Sequence, residues 1–136
     1  MKSVDLPENV EIVLAAYERF NAGERTPDGL GIWDERGEFR PAREDPDFAI
    51  HRGIDELRSH YASWVDAYPD LSLKPVEACG RDDTVFLWIS ASGRARQSGV
   101  QLGMHLAHVI TMHAGKITRL LVYTSKCEGL RAAGLS

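Results

Sequence analysis

Three histidines fall within nine positions of the stretch GMHLAHVITMHAGKITRLLVY, residues 103–123: His105, His108 and His113. Imidazole binds metal ions, moves protons near neutral pH and exchanges hydrogen bonds, so each chemistry has to be weighed. The stretch alternates as a strand does, and successive strand side chains point to opposite faces. His105 and His108 differ by three and therefore face opposite sides. His113 lies on the side of His105 but about 26 Å along an extended chain. One metal ion cannot collect them, and no CxxC or HExxH accompanies them. The spacing predicts no metal and leaves acid/base or hydrogen-bonding work for a single imidazole.

The turn after the histidines fixes which one. If Ala114-Gly115 are the loop of a two-residue hairpin, His113 pairs with Lys116 and Met112 with Ile117. Counting outward in a regular ladder, Ile110 meets Arg119, His108 meets Leu121 and Leu106 meets Tyr123. One face then carries Leu106, His108, Ile110, Met112, Ile117, Arg119, Leu121 and Tyr123. It has the bulkier apolar residues and is the expected core face. Polar groups converging in an apolar surrounding mark a ligand site, which makes His108, Arg119 and Tyr123 candidates. The alternative is a core histidine with a satisfied hydrogen bond and an arginine at the sheet edge.

Helices must cover that face. Val10, Val13, Leu14, Tyr17 and Phe20 form one stripe of a helix over 7–21, with Pro7, Glu8 and Glu11 in its first turn and Gly23 past its end. A short helix is predicted over 28–33 and a short extended piece over 38–41. The segment 41–50, with two prolines and three acids, is predicted as a surface loop. Ile54, Leu57, Tyr61, Trp64, Val65 and Tyr68 form the stripe of a helix over 54–68, stopped by Pro69. The period then changes from 3.6 to 2. Strands are predicted over 71–79, 84–91, 100–113 and 116–124, followed by a short helix near 128–133. Helices first and a strand meander afterwards indicate one α+β domain over 1–136. Residues 84–91 are apolar on both faces, so the outer face also needs a cover, and a two-fold partner is the simplest one.

Composition excludes several classes. The net charge of −4 argues against nucleic acid. No apolar run approaches the roughly 18–20 residues of a membrane span. The N-terminus has no apolar signal segment, so a cytoplasmic location is expected. Cys79 and Cys127 stand far apart and read as reduced thiols. Residues 1–70 hold 8 Lys/Arg against 16 Asp/Glu, a net of −8, whereas residues 71–136 hold 8 against 4, a net of +4. Opposite charges suit helices packed on a sheet.

The element order resembles the nuclear transport factor 2-like superfamily and, within it, the SnoaL-like (polyketide cyclase-like) proteins. The resemblance spans about residues 7–135. It is carried by Tyr17-x-x-Phe20-Asn21-x-Gly23-Glu24, Glu38-x-Arg40-Pro41 and Arg52-Gly53. Ala107-His108-Val109, Ala114-Gly115-Lys116-Ile117 and Ala132-Ala133-Gly134-Leu135 complete it. It implies a cone, with a curved antiparallel or mixed sheet wrapped around the N-terminal helices, a pocket inside, and a homodimer through the outer sheet face.

Similar ketosteroid isomerases use an aspartate base with a tyrosine and a protonated aspartic acid as oxyanion donors. Their base position falls here on Arg40, their protonated acid near His108, and their tyrosine on Ala16, one residue from Tyr17. That mechanism is therefore not expected. His108 remains a candidate acid or base, Arg40 an anion or oxyanion holder, and Tyr123 a donor. With Arg119 added, the expected ligand is anionic or enolisable, such as an aromatic or keto acid.

Tyr17, Trp33, Trp64, Trp88, Leu106 and Ile110 are the expected pocket wall, although Trp33 and Trp64 also suit a plain core and Trp88 a partner contact. His60 is expected at the half-exposed edge of its helix, and His51 in a loop that could rim the pocket. The acidic stretch 43–48 is expected to be solvated, with a lid as the alternative. No cofactor is called for. The sequence leaves two functions open: a small-molecule enzyme or binder without metal, and a non-catalytic dimerisation or interaction module.

Overall fold

A computed structural model describes residues 7–135. The first six residues, on which the reading of the N-terminus rests, lie outside the described residues. Helix α1 spans Glu8–Asn21 and buries Val10, Val13, Ala16, Tyr17 and Phe20. Asn21 locks the end of α1 to the sheet through both backbone groups of Leu73, at 2.8 and 2.9 Å. Helix α2 is one turn, Pro27–Leu30, capped by the Thr26 hydroxyl and ended by Gly31 in the left-handed region. It stops earlier than the sequence predicts because Gly31 turns the chain straight into a strand. Strand β1 is accordingly longer than predicted, Trp33–Arg40. Residues 41–50 form the predicted loop, and His51–Arg52 add a two-residue strand, β2.

Helix α3, Ile54–Ala67, ends where Pro69 forbids continuation. Strands β3 (Ser72–Arg81), β4 (Thr84–Arg94), β5 (Gln101–His113) and β6 (Lys116–Tyr123) follow, then α4 (Lys126–Ala133). The six strands make one sheet in the order β2-β1-β6-β5-β4-β3. Only β1 and β6 run parallel; every other pair is antiparallel. Register shifts interrupt β1, β3 and the β5–β6 hairpin. An extra residue bends and twists a strand, and bends of this kind curl the sheet around α1 and α3.

Each core residue follows from parity. Val85, Leu87, Ile89 and Ala91 on β4 point inward with Ile110 and Met112 of β5, and together with the α1 stripe they form the main core. Phe86 points the other way and is still only 1% exposed. Its cover is α4, which packs on Phe86, Ala107 and Val109 with Leu130 and Ala133. Gly129 allows that contact: a Cβ there would stand 2.6 Å from the Ala107 side chain and 3.1 Å from the Phe86 ring. The chain thus covers this part of the outer face itself, where the sequence suggested a partner.

The hairpin turns as predicted at Ala114-Gly115, whose φ angles are 49° and 77°. His113 pairs with Lys116 and Met112 with Ile117. The ladder then slips. Thr111 pairs with Arg119, Ile110 with Leu120, His108 with Val122 and Ala107 with Tyr123. Thr118 is the extra residue, and its hydroxyl bonds the Thr111 carbonyl at 3.2 Å. One inserted residue moves every later side chain of β6 to the other face. Leu120 and Val122 pack inward, whereas Arg119, Leu121 and Tyr123 face out.

Candidate functional site

His108 is 3% exposed on the inner face of β5, between Leu87 of β4 and Val122 of β6. The α1 stripe aims Tyr17 at it, and the Tyr17 hydroxyl lies 2.6 Å from His108 Nδ1. Burial pushes the Tyr17 phenol well above its ordinary value and the His108 imidazolium down to about 3. Both groups are therefore neutral at pH 7.

Hydrogen-bond satisfaction favours one tautomer. A buried phenol must place its O–H proton somewhere, and Nδ1 is the partner of Tyr17 among the described residues. Tyr17 therefore donates to Nδ1. In that tautomer the ring proton of His108 sits on Nε2, which bonds no protein group among the described residues. His108 lines an open cavity of about 860 Å³, within the usual range of about 300–1,000 Å³ for small-molecule sites. The floor of this cavity thus presents a neutral N–H donor, suited to a carbonyl or other oxygen acceptor.

The cavity lies between α3, the loop 41–50 and the inner face of the sheet. Leu73, Leu106 and Val122 form its apolar floor around His108, and Phe39, Trp64 and Tyr68 its aromatic wall. Behind this wall, a void of about 20 Å³ lies among Tyr17, Phe20, Trp33, Tyr61 and His108, room for about one water molecule. Trp33 closes that void by donating its indole N–H to the Tyr61 hydroxyl at 2.9 Å.

A second imidazole cluster lines the cavity. His51 and His60 stack with centroids 4.1 Å apart, and His60 also packs on Phe39 and Trp64, each at 4.6 Å. Burial, then the neighbouring His51, pushes His60 down to about 4, against the opposing pull of Asp45. Its Nε2 is buried without a hydrogen-bond partner among the described residues. The sequence placed His60 at the half-exposed edge of its helix, and it is half-buried there. Its spacing joins it to the apolar stripe: positions 57, 60, 61 and 64 are i, i+3, i+4 and i+7 of α3, one continuous face. His51 meets it through β2, too short to show any periodicity.

Of the residues expected to act, His108, Tyr17, Trp64 and Leu106 come together around the cavities. Trp33 borders only the small void. Ile110 faces inward but lies wholly in the core. Arg40 does not join them. Phe39 takes the inward position of β1, so the next residue faces out, and Arg40 pairs with Glu38 at 3.4 Å with 47% of its side chain exposed. Arg119 and Tyr123 were expected beside His108, but the slip at Thr118 puts both on the opposite face. Trp88 also faces outward and stacks on His105 at 5.4 Å. No group of three or more His, Cys, Asp or Glu side chains suited to a metal ion occurs among the described residues.

The model of the SnoaL-like domain matches residues 13–120. The chain belongs to the SnoaL-like family. No curated protein matches its sequence. Solved structures show the same fold at low identity. A hypothetical protein with a ketosteroid isomerase-like fold from Catenulispora acidiphila, in complex with trimethylamine, is 19% identical over 97% of this chain and 96% of its own, with a TM-score of 0.70. An NTF2-like protein of unknown function from Burkholderia pseudomallei is 17% identical over 94% and 98%, with a TM-score of 0.72. The epoxide hydrolase/cyclase-like enzyme SalBIII, of pyran ring formation in salinomycin, is 17% identical over 88% and 92%, also at 0.72. This SnoaL-like chain therefore has the NTF2-like cone fold, a fold that hosts unrelated chemistries.

Proposed function

We propose that this SnoaL-like protein binds a small organic molecule in its 860 Å³ cavity, with an oxygen acceptor of the ligand on the Nε2–H of His108. The observation that carries this reading is the Tyr17–His108 pair, which supplies a fixed donor in an otherwise apolar floor. Such a donor polarises a ketone and stabilises the enolate formed from it, as isomerase, lyase or cyclase chemistry requires. The anionic ligand suggested by the sequence loses its support, since Arg40 and Arg119 lie outside the cavity lining.

Binding without turnover is the second reading. It is favoured by the low basicity of His108, which weakens it as a proton carrier near pH 7. A homodimer through the uncovered part of the outer face and a cytoplasmic location belong to the same proposal. A solution mass near 15.1 kDa would contradict the dimer. No helix among the described residues is long and apolar enough to cross a membrane.

A thermal-shift panel of aromatic ketones tests the pocket. A ligand at 100 times its Kd should stabilise the wild type by about 2.7 kcal/mol, several degrees of Tm. The folded control is the double variant Tyr17→Phe/His108→Leu, which removes both polar partners together and so leaves neither unpaired. We expect the shift to vanish in it. In Tyr17→Phe alone, nitrogen NMR should show His108 losing its exclusive Nε2–H form. Equal shifts in wild type and double variant, or none in either, would rule out His108 as the ligand contact.

A further inference from the structure

The charges around the cavity are one-sided. Glu44, Asp45 and Asp47 of the loop 41–50 line it, and among the described residues neither a lysine nor an arginine does. The nearby arginines are turned elsewhere. Arg40 and Arg52 bond Glu38, at 3.4 and 3.2 Å, and Arg43 faces Glu128 of α4 at 3.7 Å. The loop acids are exposed, while Phe39, Trp64 and Tyr68 present aromatic side chains within the same cavity. Aromatic faces attract cations, and a carboxylate-rimmed mouth raises their local concentration while repelling anions.

An acidic loop alone would say little. Here it shares its cavity with a buried imidazole whose Nε2 bonds no protein group among the described residues.

We propose that the ligand of this cavity is cationic and bifunctional: an oxygen acceptor at the floor on His108, and a protonated amine toward the mouth, among the aromatic side chains and the carboxylates of Glu44, Asp45 and Asp47. This rests on the pocket reading above and adds to it the charge of the ligand. The floor cannot itself be the amine site, because an Nε2–H donor has nothing to offer an ammonium group. The two ends of the cavity thus ask for opposite chemistries, and an aminoketone supplies both.

A matched set of 2-acetylnaphthalenes separates the alternatives. The substituent at C6 is aminomethyl, hydroxymethyl or carboxylate, and everything else is constant. Affinities are measured by calorimetry at low and high salt on the full chain. We expect the order amine, alcohol, acid, with the amine favoured over the alcohol by about tenfold at low salt, the sum of a few screened ion pairs. Salt should shrink that preference, because exposed charges are screened. The triple variant Glu44→Gln/Asp45→Asn/Asp47→Asn should bring the amine to the affinity of the alcohol and leave the alcohol unchanged. A carboxylate that binds as well as the amine, or a preference that survives the triple variant, would overturn the cationic assignment and leave the pocket standing. If none of the three probes binds, the pocket reading falls, and this inference with it.

Discussion

The two faces of the β5–β6 hairpin carry similar residue types and do different things. Inward, His108 lies among Leu87, Leu106 and Val122, with Tyr17 as its hydrogen-bond partner. Outward, Arg119 and Tyr123 stand near Trp88, His105 and the Glu38–Arg40–Arg52 cluster. Both faces offer aromatic and basic groups. Only the inner face combines burial with a cavity, and burial changes the chemistry. His108 is held neutral by desolvation, whereas Arg40 stands half-exposed beside Glu38. A single extra residue, Thr118, decides which face Arg119 and Tyr123 belong to.

The largest contrast between the faces should appear in stability. Leu87 and Trp88 are adjacent on β4, one wholly buried inside and the other half-buried outside. Leu87→Ala removes few atoms but leaves a cavity in a closed core, and should cost about 3 kcal/mol or more. Trp88→Ala removes a far larger side chain, yet water can fill the space, and about 1–2 kcal/mol should be lost. Urea midpoints of the two variants measure the difference. A larger loss for Trp88→Ala would mean that the outer face is covered in solution, which is the expected sign of a partner subunit.

The pH dependence probes the inner face directly. His108 titrates near 6.5 when unfolded and near 3 when folded, because burial disfavours its charged form. Its contribution to stability is intact above the unfolded value and is lost as pH falls from about 6.5 toward 3, since the unfolded chain binds the extra proton. The loss approaches about 1.4 kcal/mol per pH unit within that window. Denaturation midpoints between pH 7 and 4 should fall with at least this slope, since His60 adds its own share, and Tyr17→Phe/His108→Leu should remove the His108 share. An unchanged slope in the double variant would place the titration elsewhere, His60 being the next candidate.

Much of this was legible in the sequence, and what was missed lies in irregularities and long-range contacts that periodicity does not carry. The stripes of α1 and α3 show as 3.6-residue periods because each helix buries a single face. The apolar run of β4 shows because α4 covers its back. His108 was placed inward by simple parity, since β5 runs unbroken through that position. Arg119 and Tyr123 were misplaced because a β-bulge has no residue signature at Thr118, and a regular ladder carries every later position to the wrong side. The pairing of Tyr17 with His108 joins positions 91 apart in the chain, and periodicity can point two side chains inward without bringing them together. The acids of 43–48 were read as solvated and are exposed; composition identifies such a loop but not the cavity it borders.

The smallest predicted effect is the sharpest statement of how the faces differ. Arg40 and Arg119 would be indispensable if the cavity took an anion through them. Both are exposed, and among the described residues Arg40 has only the partly exposed Glu38 as its ionic partner. Exposed ion pairs contribute about 0–1 kcal/mol, and surface substitutions of this kind usually stay within about 0.5 kcal/mol. The double variant Arg40→Ala/Arg119→Ala should therefore unfold close to the wild type and bind the naphthyl ketone probes with unchanged Kd. Removing two positive charges also makes the whole chain more negative, so any residual effect on the aminomethyl probe should be a slight gain at low salt. A loss of ketone binding would show that these arginines reach the cavity in solution, and the division between an acid-lined pocket and an arginine-bearing outer surface would fail.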